Sequence, residues 1–440
     1  MNKSRKQKGI ALIVVLWISM LLILMLYSLL LETAAETSLA DGFAARKKAE
    51  QLALSGYEKA IVVLNNDQET KQTLEDVWAQ EEDEWYEVEL GEGVFTLIHP
   101  VYSENQMYWG MSDEAARLNI NTAEKDSLLA LPEMSEEIAD SIIDWRDENS
   151  EPEPSGAEED YYMTLDPPYS CKNSFFETGE ELLFVKGVTS ELFWGEDRNQ
   201  NGILDPGEDE DEDGELDFGF ANFITVYSVD KNVQANGSER LNINSPEADL
   251  ENGLSDVLSS STINSIRTSG PYMSVGYLLD VQGVTTQNFK QIVDRVTVIP
   301  VPIGGQININ TAPKQVLQTL PGMEEEMIEA MLAYRSQEEV NLSNIGWLLD
   351  VSLDEEMKKQ LLKMIANQIT TRSYQFRIDV VGRIGDRLEG SSVTEEESPF
   401  AFKRILAIYD KLQDPPRPIY FKDISRQGFP YNPWEKPESP

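Results

Sequence analysis

Residues 10–31 form one apolar run of 22 positions without a charge, and the following 35 positions change to a pattern in which apolar side chains recur every three or four residues. At 1.5 Å per residue the run makes about 33 Å of helix, the thickness of a bilayer's hydrocarbon core, which predicts a transmembrane helix over 10–31. No proline falls between 32 and 66, and that stretch is rich in Ala, Leu, Glu and Lys, so the helix is expected to continue as a stem. Leu52, Leu54, Tyr57, Ile61 and Leu64 mark the face that should lie on a sheet, and Gly42 and Gly56 weaken the helix locally.

Beyond an acidic connector the period changes to two. Tyr86, Val88 and Leu90 alternate with Glu87 and Glu89, and Gly91-Glu92-Gly93 turns the chain into the apolar stretch 94–98, a hairpin. Tyr374, Phe376, Ile378 and Val380 alternate with Gln375, Arg377 and Asp379, and 404–409 reads as one more strand. Strand patterns at both ends of the ectodomain with helical patterns between them predict an α+β protein. Its stem helix and first strands (32–118) would combine with C-terminal strands (367–413) in an antiparallel sheet domain, split by an all-helical insertion over 119–366. Pro415, Pro416 and Pro418 make 414–440 an extended, loosely attached tail.

The insertion repeats itself. Leu118-Asn119-Ile120-Asn121-Thr122-Ala123, Leu241-Asn242-Ile243-Asn244-Ser245-Pro246 and Ile307-Asn308-Ile309-Asn310-Thr311-Ala312-Pro313 share one pattern: a short extended piece, then a Thr or Ser helix cap, with Pro246 and Pro313 in the first turn. A second echo joins 182–188, 278–284 and, less fully, 347–351. The expected modules are SAM-like or helix-hairpin-helix-like. Leu320-Pro321-Gly322-Met323, with Ala330 and Tyr334-Arg335 after it, looks like a helix-hairpin-helix of the kind that holds a DNA phosphate. Here Glu324, Glu325 and Glu326 follow the turn, and in the first module Glu133 stands in the glycine position ahead of Glu136 and Glu137. Carboxylates at a phosphate site oppose binding, so these hairpins read as packing and partner-contact elements, with no nucleic acid.

Charge agrees. The chain has 78 acidic against 36 basic residues, a net charge of −42, which repels polyanions. Lys3, Arg5, Lys6 and Lys8 are instead concentrated ahead of the apolar run, which keeps the amino terminus cytoplasmic and sends everything after Leu31 across the membrane. A cleaved secretory signal is the rival, but Tyr27-Ser28-Leu29-Leu30 offers no small-residue cleavage site. One histidine, His99, and one cysteine, Cys171, with no Gly-x-Ser-x-Gly sequence, leave no nucleophile and base for an enzyme. Cys171 reads as a small buried hydrophobe.

The acidic stretch 197–217 carries the one metal-binding pattern. Asp197, Asn199, Asn201, Asp205 and Glu208 occupy positions 1, 3, 5, 9 and 12 of a calcium loop, with Gly202 at the turn and the carbonyl of Ile203 at position 7. Asp209, Asp211, Asp213 and Asp217 begin a second loop whose twelfth position is Phe220, leaving its oxygen shell incomplete. The expected ion is Ca2+.

Lys8-Gly9-Ile10-Ala11-Leu12-Ile13-Val14 resembles the type IV prepilin leader, which implies cleavage between Gly9 and Ile10 by prepilin peptidase, removal of 1–9, and N-methylation of Ile10. In most pilins the fifth mature residue is a glutamate; here it is Val14, as in the K subunit among pseudopilins. The leader, the stem, a pilin-like sheet split by a helical insertion, and the Leu-Asn-Ile-Asn-Thr modules together resemble the general secretion pathway protein K family. That resemblance implies a minor pseudopilin of the type II secretion system and calcium binding. It also implies assembly with the I and J minor pseudopilins, and through them the major pseudopilin, at the tip of a pseudopilus that supports export of folded proteins. The protein would be single-pass in the bacterial inner membrane with its ectodomain in the periplasm. The alternative is a membrane-anchored helix-hairpin-helix protein of the DNA-binding, competence type.

Overall fold

The computed structural model describes residues 4–67, 71–101, 106–197, 204, 207–210, 212–246, 248–385 and 401–430. One continuous helix, Ser4–Asn66, joins the apolar run to the stem. Its apolar first half packs against no other described element: apart from the half-buried Ser19, the side chains from Leu12 to Leu31 are exposed, as a bilayer-spanning segment requires. The lower half packs on a six-stranded antiparallel sheet with the strand order Val88–Leu90, Gly93–Leu97, Gln375–Ile384, Ala401–Asp410 and Arg417–Asp423, Ser112–Asp113 pairing with the start of Gln375–Ile384.

The expected face of the stem is the one that packs on the sheet, and smaller side chains line it as well. Leu52, Tyr57 and Leu64 are buried, but Leu54 and Ile61 only partly, and the closest approach is made by Ala49, Ala53, Gly56 and Ala60. Small side chains spaced three and four apart let the helix axis settle onto the strands. A Cβ on Gly382 would stand 2.3 Å from the Ala49 carbonyl oxygen and 2.4 Å from the Ala53 nitrogen, so the helix backbone rests on the bare backbone of the central strand. Gly56 plays the reciprocal part against Phe95 and Val380. Trp78, Trp85, Phe376 and Tyr409 complete this core.

The expected tail is instead an element of the sheet. Arg417–Asp423 pairs with Ala401–Asp410, with a shift in register at Ile408/Tyr409, and Pro418 lies within this edge strand, where a missing N–H is tolerated. Glu180 of the first module accepts hydrogen bonds from Tyr420 Oη at 3.0 Å and Lys422 Nζ at 3.1 Å, fastening the edge. Residues 431–440 lie outside the described residues.

Between the two parts of the sheet run three modules, and the insertion is not all helix. Each module opens and closes with a two-residue strand, and the two strands pair in parallel: Leu118–Asn119 with Ile224–Thr225, Leu241–Asn242 with Val296–Thr297, and Ile307–Asn308 with Ile369–Thr370. In each closing strand the threonine hydroxyl accepts the amide two residues on, from Tyr227 at 3.1 Å, Ile299 at 3.0 Å and Arg372 at 3.1 Å. In each opening strand the first asparagine's Oδ1 accepts the amide of the second, Asn121, Asn244 or Asn310. This side-chain turn displaces the expected helix cap: Thr122, Ser245 and Thr311 donate their amides back to Asn119, Asn242 and Asn308, and the helices start later, after Glu124, Asp249 and Pro313. Pro246 therefore precedes its helix.

The first and third modules share a fastening. Arg146 donates to the carbonyls of Ile120 and Ala123, and Arg335 to those of Ile309 (3.0 Å) and Ala312 (2.8 Å), so each long helix is tied to its own opening strand. Turn geometry confirms the equivalence drawn from sequence: Gly322 has φ +67, and Glu133 at the matching place in the first module has φ +59.

Candidate functional site

Two regions bear on function: the joint between modules and sheet, and the acidic loop. The joint is built on Asp113 and Glu114, adjacent residues at the point where the chain leaves the sheet. Asp113 Oδ2 accepts from Ser373 Oγ (2.5 Å), Thr311 Oγ1 (2.6 Å) and Asn308 Nδ2 (2.9 Å), and its Oδ1 from the Ala115 amide (2.7 Å). Burial pushes its carboxyl up, against the pull of those donors. Burial also pushes Glu114 up, but Arg377 and Arg117 prevail and hold it below the usual carboxylate range. Arg377 Nε lies 2.7 Å from Glu114 Oε1, and Thr225 Oγ1 donates to its other oxygen. Gln72 adds a strap from the stem side: its carbonyl accepts from Asn310 at 3.2 Å and its Oε1 accepts the Ser373 amide at 2.9 Å. The first and third modules are thus fixed to the sheet by buried, hydrogen-bonded polar groups.

The acidic loop leaves the first module between its last helix, Ser190–Trp194, and its closing strand. The second and third modules have short connections there. An isolated antiparallel bridge between Gly195 and Phe218 closes the base, and the Glu196 amide donates to the Asp217 carbonyl at 2.9 Å. Glu196, which the calcium-loop spacing passes over by one position, is the clamp: one carboxylate oxygen accepts the Glu210 amide at 2.7 Å and the other the Asp217 amide at 3.0 Å.

Of the expected metal ligands, Asn199, Asn201, Ile203, Asp205 and Asp211 lie outside the described residues. Asp197 and Glu208, positions 1 and 12 of the first loop, are both buried. In the second loop Asp209 Oδ2 accepts the Gly214 amide at 3.2 Å while its Oδ1 is buried with no donor among the described residues. Asp213 uses one oxygen on the Glu215 amide at 2.7 Å. Among the described residues no three His, Cys, Asp or Glu side chains converge on one point. The donor set still suits calcium: buried carboxylates at both ends of the first loop, and an orphaned carboxylate oxygen where the second begins.

His99 Nδ1 lies 2.8 Å from the Ala79 carbonyl, and burial lowers its pKa to about 4, so it is neutral. Burial pushes the Cys171 thiol up to about 12. Lys314, at the start of the helix Lys314–Leu317, is paired with Glu325. Gly9 and Ile10 fall within the helix Ser4–Asn66.

A family model described as type II secretion system (T2SS), protein K, first domain, matches residues 115–194, the first module up to the acidic loop. A curated relative named for type II secretion system protein K, from Escherichia coli strain K12, is 27% identical over 226 residues; the alignment takes in 43% of this chain and 61% of the relative. A solved structure, the GspK-GspI-GspJ complex from the enterotoxigenic Escherichia coli Type 2 Secretion System, aligns over 89% of this chain and 99% of its own at 14% identity, with a TM-score of 0.40. The family match, confined to the first module, and the curated relative, of which the alignment spans 61%, make the chain similar to type II secretion system protein K.

Proposed function

We propose that the protein is the K-type minor pseudopilin that occupies the tip of a pseudopilus, where it initiates or caps assembly and supports export of folded proteins across the outer membrane. The observation that carries this reading is one helix that continues from a bare apolar rod into a stem carrying a sheet and three modules. A filament built from such rods must pack them side by side in the membrane. A body widened by three modules obstructs subunits stacked above it, whereas at the end of the filament it has none above. Val14 fits the same position: a glutamate at that depth would need the amino terminus of a subunit ahead, and a charge without that partner is costly in lipid. Prepilin peptidase would cut between Gly9 and Ile10 from the cytoplasmic face, leaving the ectodomain in the periplasm. The I and J minor pseudopilins are the partners, by analogy with the complex named above, and the major pseudopilin joins through them.

Calcium is part of the proposal. Asp197, Asn199, Asn201, Ile203, Asp205 and Glu208 would hold one ion, and Asp209, Asp211, Asp213 and Asp217 would begin a second loop whose coordination a residue from elsewhere must complete. A bound ion would supply charge neutralisation to an acidic connection that otherwise repels itself.

The reading is tested on the native protein by mass spectrometry of its amino terminus and by co-purification with the I and J subunits. An N-methylated Ile10 and a ternary complex are expected. A mature chain retaining Met1, or one cut beyond Leu31, would defeat it.

A further inference from the structure

Each module contains one short 3₁₀ turn: Gly179–Phe184, Val275–Asp280 and Ile345–Leu349. In the second and third modules this turn is where the two meet. A Cβ on Gly276 would collide with the Leu362 carbonyl, and one on Gly346 would stand 3.1 Å from the Lys290 Cα, so each turn takes a helix of the other module at close range. Asp280 pairs with Lys363 at 2.8 Å and Asp350 with Lys290 at 2.7 Å, both across the same contact. Leu279 and Leu349 are covered by it, at 8% and 4% exposure. The first module has Leu183 in the leucine position and Phe184 in the aspartate position. Leu183 is 38% exposed and Phe184 54%. Glu180, which stands where the siblings have Gly276 and Gly346, holds the edge strand through Tyr420 and Lys422. Among the described residues the face beyond it stays open.

The first module builds an aromatic surface around that opening. Its connection 147–178 replaces the short 270–274 and 336–344 of the other modules. Carboxylates of the helix Glu136–Arg146 fix it: Asp140 accepts the Ser155 amide at 3.0 Å, and Asp144 accepts the amides of Glu153, at 2.9 Å, and Ala157. The connection brings Tyr169 against Phe184, with ring centroids 5.8 Å apart and Tyr169 Oη donating to the Phe184 carbonyl at 2.7 Å. The rings continue through Tyr162, 5.4 Å from Tyr169, to the exposed Tyr161, 5.2 Å further, with Lys186 Nζ 5.4 Å over Tyr161. Pro152, Pro154, Pro167 and Pro168 restrict the backbone, so the surface is preformed. Residues 147–186 carry eleven acidic side chains and two lysines, and both lysines are paired: Lys172 with Glu181 at 2.6 Å, Lys186 with Glu137 at 2.9 Å. Asp160, beside Tyr161, is exposed.

We propose that this face of the first module, Leu183 and Phe184 with Tyr169 and Tyr161, is a docking surface for a lysine-rich amphipathic helix of another protein. The other two modules show what the face takes: on each, a helix lies along the turn, covers the leucine and presents a lysine beside it. Charge selects the same occupant. Nucleic acid and anionic lipid are repelled by the acidic rim, and a second copy of this chain brings a further −42. A cationic helix is attracted, its apolar side chains covering Leu183 and Phe184 while its ammonium groups meet Glu137, Asp160 and the ring of Tyr161. Phe184 in place of an aspartate exchanges one ion pair for a large apolar contact, the kind of residue on which binding energy concentrates.

The test titrates the full-length protein, in a non-ionic detergent, into three fluorescein-labelled peptides of equal length: an amphipathic helix of leucine and lysine, its leucine and glutamate counterpart, and a serine and lysine peptide without apolar anchors. Anisotropy reads binding. The parent is compared with Leu183→Ser/Phe184→Ser, with the charge reversal Glu137→Lys/Asp160→Lys, and with Met273→Ser, which removes an exposed apolar side chain of the second module. Saturable binding of the leucine and lysine peptide is expected in the parent and in Met273→Ser, with at least tenfold weaker binding in the other two variants. The two remaining peptides should bind the parent at least tenfold more weakly. The proposal is overturned if Leu183→Ser/Phe184→Ser or the charge reversal binds as the parent does. It is equally overturned if the serine and lysine peptide matches the amphipathic one, which would make acidity alone responsible, or if the glutamate peptide does, which would make the contact apolar only. Leu183 and Phe184 are exposed, so melting of their variant should equal the parent's; should it fail to fold, the charge reversal and the peptide series decide. No I or J subunit enters the test, so its outcome is independent of the tip assignment.

Discussion

At the residue scale, two positions show how burial converts an unremarkable sequence letter into a constraint. His99 is the only histidine in the chain, and it is enclosed with its Nδ1 on the Ala79 carbonyl. Its pKa falls from 6.5 to about 4, first through burial, with the Ala79 bond opposing and Arg117 adding to the drop. In the unfolded chain it protonates near 6.5, so between those values the unfolded state binds more protons. The stability this residue carries is complete above 6.5 and is lost as pH falls toward 4, by up to about 3 kcal/mol. Urea midpoints at pH 7 and pH 4.5 should therefore draw closer together in His99→Gln than in the parent; an unchanged interval would refute the assignment. Gly382 is the second position. Gly382→Ala places a Cβ against the backbone of Ala49 and Ala53, which cannot move without lifting the stem, and should cost about 1–3 kcal/mol in denaturant titrations.

At the scale of elements, the modules are a repeated arrangement of turn, hairpin and closing strand, yet equal positions are not equally important. Asn310 and Asn244 occupy the same place in the pattern. Asn310 is buried, with Nδ2 on the Gln72 and Leu342 carbonyls and Oδ1 receiving Trp347 Nε1 at 3.0 Å. Asn244 is exposed, and among the described residues its side chain bonds only Tyr272, through that residue's carbonyl and amide. Asn310→Ala should cost about 3 kcal/mol, since it strands buried partners, and Asn244→Ala about 1. Equal losses in thermal or urea unfolding would show that the joint to the stem adds nothing. The acidic loop belongs to this scale as well: the first module differs from its siblings by two long connections, each anchored by carboxylates of the module itself.

For the whole molecule, the question is whether modules and sheet move as one. Asp113 receives hydrogen bonds from the third module's opening strand and from Ser373, while its neighbour Glu114 ties the first module's closing strand to Arg377 in the central strand. Asp113→Ala should lower stability by about 2–4 kcal/mol and open the connections near Gln72 and Ser373 to protease before either core unfolds. Cleavage that begins instead within the sheet would place the weakest point elsewhere. A rigid joint also suits a subunit whose bulk must keep one orientation at the end of a filament.

Much of this was legible in the sequence, because some features depend only on neighbouring residues. The apolar run, the hairpin at Gly91, the alternation from Gln375 and the triple Leu-Asn-Ile-Asn pattern each declare a local period or turn. What the chain could not declare were pairings across long gaps. The closing strands at Ile224, Val296 and Ile369 are two residues long, too short for any period, and exist because an opening strand stands beside them. Pro415, Pro416 and Pro418 argued for a free tail, whereas the open edge of Ala401–Asp410 and the carboxylate of Glu180 turned that segment into a strand. The bulky stripe on the stem was visible, but the Ala and Gly face that makes the contact gains its meaning only from the bare backbone at Gly382. Sequence by itself determined which segments would be helix, strand and membrane rod, since those follow from local hydrophobic order. Only tertiary structure decided which carboxylates are enclosed and which lack a partner, because burial and the nearest donor are properties of the packed chain.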